Sequence, residues 1–306
     1  MIACVGPAIV DVLVRGFDLQ ARAQGCNFAE SAELVPGGDA VNYAVCLQKL
    51  GKEARIVCFT GEDPAAKVLT DHLELCGADT SCMTRLENVP TPVTVIFLED
   101  DGQRNSMMTR AHQFNFHPEA DLSWMDGAES VVLASLFRAP FRDPDVVKTI
   151  VTEAKRRELP VYADTKLPNA GRMGLEDLKD VLPLMDGIFP NEAEAAYFTG
   201  QTEPEAMADG FLSYGVGSVI IKLGADGCLY KSAAETIRLP GLPAKAVDTT
   251  GAGDNFAAGF IALRSEGRSV DEALRFANAA GALCTTAYGA TTALQDRDQV
   301  RKFPNR

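Results

Sequence analysis

The sequence has no block of Lys or Arg and no apolar run of the roughly 18 residues that a membrane span requires. Its 29 Lys and Arg residues are outnumbered by 42 Asp and Glu residues, which gives a formal net charge of −13. Nucleic acids and anionic membranes attract positive surfaces, so an acidic chain without a basic block is poorly suited to either. We therefore expect a protein that binds neither nucleic acid nor membrane.

The cysteines also lack the spacing of a metal site or a disulfide framework. The eight cysteines are scattered, no two form Cys-x-x-Cys, and Cys4, Cys46 and Cys58 lie in apolar segments. Reduced cysteine packs as a small apolar side chain. The N-terminus has no basic start followed by an apolar stretch and a cleavage pattern, so we expect no secretory signal. Together these features predict a cytoplasmic protein with free, buried thiols.

Two common nucleotide-binding motifs are absent. There is no Gly-x-x-x-x-Gly-Lys-[Ser/Thr] phosphate loop, and the residues that follow the first apolar segment, Gly6-Pro7-Ala8, do not form Gly-x-Gly-x-x-Gly. This excludes a P-loop ATPase and a typical dinucleotide-binding oxidoreductase. The 306 residues, 46% of them hydrophobic and 23% charged, suit a globular chain with a large core.

Short apolar segments alternate with segments whose apolar residues recur at helical spacing. This alternation predicts an α/β fold with a mostly parallel sheet covered on both faces. The predicted strands lie at 2–5, 54–59, 130–133, 161–163, 187–189 and 218–221, and the predicted helices lie at 40–50, 65–75, 145–157, 175–182, 192–198, 204–214, 253–266 and 270–286.

Two segments interrupt the alternation. Residues 12–35 contain no convincing helix, and residues 91–109 alternate in polarity around a turn at Asp100-Asp101-Gly102, which is typical of an antiparallel hairpin. We predict that strands from about 12–35 and 91–110 form a small lid outside the main sheet. The whole chain, 1–306, is then a single domain.

The small residues Gly251, Ala252 and Gly253 lead directly into an apolar helix. The first amides of a helix have no partners within the helix, and the helix dipole is positive there. Small side chains would let an anion approach these amides closely. Asp254 lies at the same point. It either caps the helix, as Asp commonly does, or acts as a general base beside a bound anion.

The run DTTGAGDNFAAGF at 248–260 resembles the second signature of the ribokinase-like carbohydrate kinases, the PfkB family. The resemblance implies a ribokinase-like three-layer α/β/α fold and an ATP-dependent sugar kinase. It implies that Asp254 is the general base for the acceptor hydroxyl. It also implies that the amides of Gly251, Ala252, Gly253 and Asp254 form an anion hole for the transferred phosphoryl group, which fits a reaction that depends on positioning and charge neutralisation.

The run PGGDAVNYA at 36–44 resembles the first signature of the same family. Taken alone it could be a simple turn into a helix capped by Asp39. The resemblance implies that Gly37, Gly38 and Asn42 bind substrate hydroxyls, together with Asp11 after the first strand. We include Asp39 in the predicted substrate site, although its presence is a departure that is similar to the Gly-Gly-Asp-Ala branch of bacterial sugar kinases.

The run PNEAE at 190–194 resembles the Asn-x-x-Glu element of the family, which organises Mg2+ and phosphates. Asn191 could equally be a simple helix cap. The resemblance implies that Asn191 and Glu194 lie on the nucleotide side. We expect Glu194 to bind Mg2+ mainly through water, since Mg2+ keeps several of its waters in proteins.

The run KLGADG at 222–227 could be an ordinary β-turn. The resemblance implies that Lys222, Gly224 and Gly227 bind ATP. It also implies an adenine pocket near Asn278 and Ala282, although helix–sheet packing would explain these two small positions equally well.

Several further residues are weaker candidates. Asp248, Thr250 and Gly289 match positions that supply a monovalent cation site, such as a K+ site, in many members of the family. Asp164 and Lys166 follow a predicted strand, and ligands of α/β sheets gather at the carboxyl ends of strands; we assign both residues to the substrate site. The arginines at 104 and 110 in the second lid segment, and at 138 after another strand, could contact an acidic or long sugar.

The sequence therefore predicts an ATP- and Mg2+-dependent kinase of a sugar or sugar derivative. Two alternatives remain open: a nucleoside or other small-alcohol kinase of the same fold, and a sugar or nucleotide sensor without catalysis. The resemblance also implies that the exposed lid could pair two copies in a homodimer.

Overall fold

A computed structural model describes residues 1–17, 28–98, 104–109, 116–169 and 173–303 of the chain. The strands are β1 (Ile2–Val5), β2 (Ile9–Arg15), β3 (Ser31–Gly37), β4 (Ala54–Thr60), β5 (Asp79–Arg85), β6 (Val93–Leu98), β7 (Arg104–Met108), β8 (Ser130–Leu136), β9 (Val161–Thr165), β10 (Gly187–Phe189), β11 (Ser218–Lys222), β12 (Cys228–Ser232) and β13 (Thr236–Leu239). The α-helices are α1 (Asp39–Lys49), α2 (Pro64–Leu75), α3 (Pro144–Arg156), α4 (Glu192–Thr199), α5 (Pro204–Leu212), α6 (Ala252–Arg264), α7 (Val270–Cys284) and α8 (Arg297–Lys302).

Nine strands form the central sheet in the order β13-β12-β11-β10-β9-β8-β1-β4-β5. The pairs from β11 across to β5 are parallel, and β12 and β13 add an antiparallel edge. The prediction of a mostly parallel sheet is confirmed. The sequence analysis missed the edge strand β5, whose polar residues give it no clear apolar alternation, and it also missed the antiparallel strands β12 and β13.

Both faces of the sheet are covered by helices. Successive side chains of a strand point to opposite faces, so Ile2 and Cys4 of β1 belong to one core and Ala3 and Val5 to the other. The first core contains the buried residues of α1, α6 and α7, and the second contains those of α3 and α5. This is the predicted three-layer α/β/α arrangement.

A four-stranded sheet in the order β3-β2-β6-β7 forms the lid. Strands β2 and β3 are antiparallel, β2 and β6 are parallel, and β6 and β7 are antiparallel. The predicted lid strands are confirmed, whereas the turn expected at 100–102 lies outside the described residues.

The helix predicted over 175–182 is wrong. The chain instead forms two short 3-10 turns, Leu175–Leu178 and Leu182–Leu184. Pro183 follows the predicted segment directly, and its ring disfavours the helical conformation of Leu182 and clashes with a helical carbonyl group four residues earlier.

Within the described ranges, no helix combines the length and apolar character needed to cross a bilayer. The cysteines of these ranges are all free, and Cys4, Cys46, Cys58, Cys228 and Cys284 are buried as small apolar residues.

Phe189 at the end of β10 tests the packing of the first core. Its side chain is fully buried, and its ring centre lies 5.5 Å from that of Phe260 and 6.1 Å from that of Tyr162. We expect Phe189→Ala to lower the free energy of unfolding by about 3–5 kcal/mol, because it removes buried apolar area and leaves a cavity. Urea titration followed by circular dichroism measures this loss.

The matched control is Leu75→Ala on α2, where the side chain is 88% exposed. We expect this change to alter the free energy of unfolding by no more than about 0.5 kcal/mol. Equal effects of the two substitutions would contradict the placement of Phe189 in the core.

Candidate active site

Two cavities of about 540 and 560 Å3 adjoin at the carboxyl ends of the parallel strands. In an α/β sheet this edge is where ligands bind. Lys222, Gly224, Thr249 and Gly253 line both cavities. The lid strands and the first turn of α1 contribute to one cavity, which we call the acceptor cavity, and α6 and α7 contribute to the other, which we call the nucleotide cavity.

The sharp turn into α6 depends on Gly251. This residue is the N-cap of the helix with φ of 75°, and a Cβ atom here would lie 2.5 Å from the Cβ of Ala290. Only glycine adopts this left-handed conformation without strain or collision. The turn brings the start of α6 to the point where the two cavities meet.

The predicted anion hole is smaller than expected. The amide of Ala252 donates to the Thr249 carbonyl oxygen at 3.2 Å. The amides of Gly251, Gly253 and Asp254 have no hydrogen-bond partner in the described part of the chain. A helix dipole adds positive potential at these amides, so they suit an anion. Ala252 instead lines the nucleotide cavity.

Asp254 lies on the acceptor cavity beside these amides. It does not cap α6, because the N-cap residue is Gly251 and no side chain of the described ranges forms a cap bond there. Its Oδ2 atom accepts a hydrogen bond of 2.7 Å from Nδ2 of Asn42. Burial and the nearby negative charge of Asp39 together raise the pKa of Asp254 to about 7, although Lys166 opposes both effects. A carboxyl group with this pKa suits proton transfer near neutral pH.

Asp39 also lines the acceptor cavity, but it is paired rather than free. Its Oδ2 lies 3.3 Å from Nζ of Lys166 and accepts a hydrogen bond from the Ser135 hydroxyl. Burial alone would raise the pKa of Asp39, yet the charge of Lys166 and the hydroxyl of Ser135 outweigh burial and lower it. Asp39 in turn raises the pKa of Lys166. Asp39 does not cap α1, whose N-cap is Gly38.

The placement of Asp164 corrects its assignment as a substrate-binding residue. Asp164 is fully buried and does not line the acceptor cavity. Its Oδ1 accepts a hydrogen bond of 2.6 Å from Lys222, and its Oδ2 accepts one of 3.0 Å from the Tyr43 hydroxyl. Asp164 therefore holds Lys222 in position from behind the cavity wall, a contact that the sequence pattern did not reveal.

The remaining predicted acceptor residues gather at the lid side of the cavity. Asp11, Gly38 and Asn42 line it, and Gly37 lies behind Asp11, where a Cβ atom would collide with the Asp11 carboxylate. Burial raises the pKa of Asp11 to about 6. The Oδ1 atom of Asn42 is buried without a partner in the described residues, so it can accept a hydrogen bond from a bound hydroxyl.

Asn191 and Glu194 form a reciprocal capping box on α4. The Asn191 side chain accepts from the Glu194 amide at 2.9 Å, and Oε2 of Glu194 accepts from the Asn191 amide at 3.0 Å and from the Thr165 hydroxyl at 2.8 Å. Burial raises the pKa of Glu194, whereas Lys222 lowers it. Both residues line the acceptor cavity near Lys222. The helix-cap role of Asn191 is thus real, and it fixes the Glu194 carboxylate in place.

The nucleotide cavity is mostly apolar and lined by small residues. The predicted residues Gly224, Gly227, Asn278 and Ala282 all line it. Asn278 donates a hydrogen bond of 2.7 Å to the Pro240 carbonyl oxygen, so it also fixes the loop opposite. The sequence analysis missed this loop, from which Gly241, Leu242, Pro243, Ala244 and Ala246 line the cavity. Its Pro and Gly residues indicate a loop in the sequence, but they do not indicate that the loop lies opposite Asn278.

The candidate cation residues lie together beside the α6 turn. The two carboxylate oxygens of Asp248 accept hydrogen bonds from different partners: Oδ1 from the amide and hydroxyl of Thr250 at 2.9 and 2.6 Å, and Oδ2 from the Gly289 amide at 2.9 Å. No cluster of three or more His, Cys, Asp or Glu residues suited to a metal occurs in the described ranges.

Two predicted residues cannot be compared with the site. Arg104 begins β7, but its side chain lies outside what the structure describes, and Arg110 lies outside the described residues altogether. The acceptor cavity also contains residues that the sequence analysis did not single out, namely Pro7, Ile9, Thr94, Ile96, Met108, Ser135, Ala139, Asn169 and Thr249. Thr249 lies within the signature run at 248–260, whereas no local motif marks the others, because they come from separate strands and loops.

An α/β fold with two adjoining cavities, a carboxylate and free helix amides at their junction defines a kinase-type site. The family profile of pfkB carbohydrate kinases matches residues 1–297. The chain belongs to this family, and it is a phosphotransferase with an alcohol acceptor.

Individual relatives agree with this assignment. A ribokinase of Arabidopsis thaliana is 31% identical over 309 residues, which cover 98% of this chain and 79% of that protein. The structure of Arabidopsis ribokinase complexed with ribose and ATP has a TM-score of 0.85 at 29% identity and covers 100% of this chain and 98% of that one. A ribokinase II-type protein of E. coli in complex with ATP and Mg2+ has a TM-score of 0.84 at 25% identity, with coverages of 100% and 99%.

The ion pair between Lys222 and Asp164 can be tested for its contribution to stability. The Lys222 side chain is 13% exposed and that of Asp164 is 1% exposed. We expect Asp164→Asn to lower the free energy of unfolding by about 3 kcal/mol, because it leaves a largely buried ammonium group without its counter-charge. The double variant Asp164→Asn/Lys222→Met should lose less stability than Asp164→Asn alone, because it leaves no unpaired ammonium group and keeps an acceptor for the Tyr43 hydroxyl. Urea titration measures both variants.

The control for this experiment is the exposed pair between Lys67 and Asp71 on α2. Surface pairs contribute little, so Asp71→Asn should change the free energy of unfolding by no more than about 1 kcal/mol. A double variant at 164 and 222 that is less stable than Asp164→Asn would show that the two charges are not coupled.

Proposed function

We propose that the protein transfers the γ-phosphoryl group of ATP to a hydroxyl of a sugar or sugar derivative bound under the lid. The observation that carries this proposal is the meeting of the two cavities at Gly253, with Asp254 on the acceptor side and three amides without partners beside it. This arrangement puts a base and an anion site next to each other, as direct phosphoryl transfer requires.

The nucleotide cavity has features that suit ATP. Its walls are small and largely apolar around Asn278 and Ala282, where a flat base would pack, and Lys222 lies at the end next to α6. Gly224 and Gly227 leave room beside the strand end, and Lys222 supplies a positive charge for the phosphates. We infer that the γ-phosphate lies against the amides of Gly251 and Gly253.

On the acceptor side, Asp11, Asn42 and the amide of Gly38 are suited to bind sugar hydroxyls. In the transfer step, the acceptor oxygen forms a bond to the γ-phosphorus while the bond from phosphorus to the bridging oxygen of ATP breaks. The hydroxyl proton passes to Asp254, and ADP leaves with the bridging oxygen. The free amides stabilise the negative charge on the transferred group.

We infer that Glu194 supports Mg2+ at the junction. Its Oε2 is fixed by Asn191 and Thr165, whereas its Oε1 accepts no hydrogen bond in the described part of the chain. One free carboxylate oxygen beside a phosphate site fits an ion that keeps most of its waters. Bound there, Mg2+ would neutralise phosphate charge.

Three further features extend the proposal. Asp248, Thr250 and Gly289 would hold K+, with carbonyl groups completing the site, and thereby order the turn before Gly251.

Met107 at 63% exposure and Leu34 at 61% lie on the lid and would be covered in a homodimer. Free, buried cysteines suit a cytoplasmic protein.

A nucleoside is the second candidate for the acceptor, because its ribose presents the same hydroxyls to Asp11 and Asn42. A coupled assay of ADP release over hexoses, pentoses, acidic sugars, sugar phosphates and nucleosides separates the two. A sensor without catalysis would release ADP with none of them.

Substitution of Asp254 tests the proposed base. We expect Asp254→Asn to keep the fold and the affinity for ATP but to lose about 10²–10⁴-fold in kcat, because the amide cannot accept the hydroxyl proton. Coupled ADP release measures turnover, and isothermal calorimetry measures ATP binding. The control is Asp271→Asn on the surface of α7, which should leave kcat unchanged. Near-normal turnover of Asp254→Asn would reject the base assignment.

The raised pKa of Asp254 predicts an acidic limb in the pH profile. Only the deprotonated carboxylate accepts a proton, so kcat/KM should level off above the pKa of about 7 and fall about tenfold per pH unit just below it. The fall should steepen near pH 6, where Asp11 also takes up a proton. Lys166 lowers the pKa of Asp254, so Lys166→Gln should move this limb to higher pH. A limb that stays in place in Lys166→Gln, or a flat profile between pH 5 and 8, would contradict the assignment.

A further inference from the structure

Arg138 is a basic residue of the acceptor cavity that the transfer step does not use. It follows β8 and lines the same cavity as Asn169. Its Nε donates a hydrogen bond of 2.8 Å to the Leu167 carbonyl oxygen. The two terminal guanidinium nitrogens have no hydrogen-bond or ion-pair partner among the residues that the structure describes.

The backbone around Arg138 is held in an unusual conformation. Ser135 and Phe137 have φ of 71° and 75°, a region that non-glycine residues rarely adopt. The Ser135 hydroxyl donates to Asp39, the Phe137 ring is fully buried, and the amide of Arg138 donates to the Ser135 carbonyl oxygen at 3.0 Å. Such strain persists where the surroundings over-determine it, commonly at ligand-binding positions.

Arg138 differs from the other basic residues of the cavity wall in its ion pairing. Three basic side chains line the acceptor cavity in the described ranges: Arg138, Lys166 and Lys222. Lys166 is paired with Asp39, and Lys222 is paired with Asp164. Arg138 alone of these three has no carboxylate partner there. A fixed guanidinium group with two free nitrogens matches the two oxygens of a carboxylate or phosphate group.

We propose that the acceptor of this kinase carries an anionic group, a carboxylate or a phosphate ester, and that Arg138 binds it through its terminal nitrogens. The Nε bond to Leu167 fixes the plane of the guanidinium group, so less side-chain freedom is lost when the anion binds. Asn169 on the neighbouring loop lies within the same cavity wall and can donate from its side-chain amide. The proposal rests on the proposed function, since it concerns the acceptor of that reaction.

The first test compares matched acceptors with the wild-type protein. Coupled ADP release is measured with glucose, gluconate and glucose 6-phosphate, and with fructose and fructose 6-phosphate. We expect kcat/KM to be at least about tenfold higher for an anionic member than for its neutral counterpart, since charge-assisted hydrogen bonds are the strong ones. A preference for gluconate identifies a carboxylate, and a preference for either phosphate identifies a phosphate ester. Equal or better use of the neutral sugars overturns the proposal.

The second test changes the arginine. For the preferred anionic acceptor we expect Arg138→Gln to raise KM about 10- to 100-fold with a smaller change in kcat, because the interaction is with the bound substrate. Arg138→Lys keeps the positive charge but loses the paired donors of the guanidinium group. Its KM should therefore lie between those of Arg138→Gln and the wild type. Arg85→Gln removes an exposed arginine at the end of β5, away from both cavities, and is the control for lost charge.

The outcomes distinguish anion binding by Arg138 from misfolding of the variant and from failure of the proposed function. A KM effect in Arg138→Gln that is absent in Arg85→Gln supports the proposal, and melting temperatures close to that of the wild type exclude misfolding as its cause. If Arg138→Gln is unfolded, Arg138→Lys with a raised KM and a normal melting temperature supports the proposal, whereas an unchanged KM in either folded variant overturns it. Release of ADP with no sugar, sugar acid, sugar phosphate or nucleoside would overturn the proposed function itself.

Discussion

The hydrogen bond from Asn42 to Asp254 joins the two halves of the site. Asn42 lies in the first turns of α1, beside the lid, and Asp254 lies in the first turn of α6, beside the nucleotide cavity. The two helices pack against each other, so a contact between residues 212 positions apart sets the distance between the acceptor-binding side and the free amides. The Asn42 amide also keeps the Asp254 carboxylate in one orientation, which proton transfer requires.

The surroundings of Asp254 raise its pKa to about 7, while Asp39 and Asp164 are each paired with a lysine. Asp39 is held ionised by Lys166, and Asp164 is held by Lys222 and Tyr43. These negative charges, together with burial, raise the pKa of Asp254. The same residues that stabilise the cavity wall therefore tune the candidate base, and Lys222 remains at the junction where phosphate charge must be neutralised.

The lid sheet closes one side of the acceptor cavity. Strand β2 carries Asp11 in the middle of the lid sheet, with β3 on one side and β6 on the other. Strands β6 and β7 add Thr94, Ile96 and Met108 to the same wall. A lid made of strands places polar and apolar side chains on alternate positions, so one face can contact a substrate while the other remains exposed.

The sequence by itself determined the α/β alternation, the lid strands and the loop at 251–254, because apolar periodicity and small-residue turns are local features. It did not reveal the edge strand β5, whose polar residues carry no apolar pattern. It also did not reveal that two short 3-10 turns replace the helix predicted at 175–182. The tertiary structure alone decided that Asp164 lies behind the cavity wall and pairs with Lys222. It also decided that the Ala252 amide donates a hydrogen bond to the Thr249 carbonyl oxygen, and that Arg138 lines the cavity without a carboxylate partner in the described ranges. These outcomes depend on burial and on contacts between distant strand ends, and such contacts form only when the sheet brings those ends to one edge.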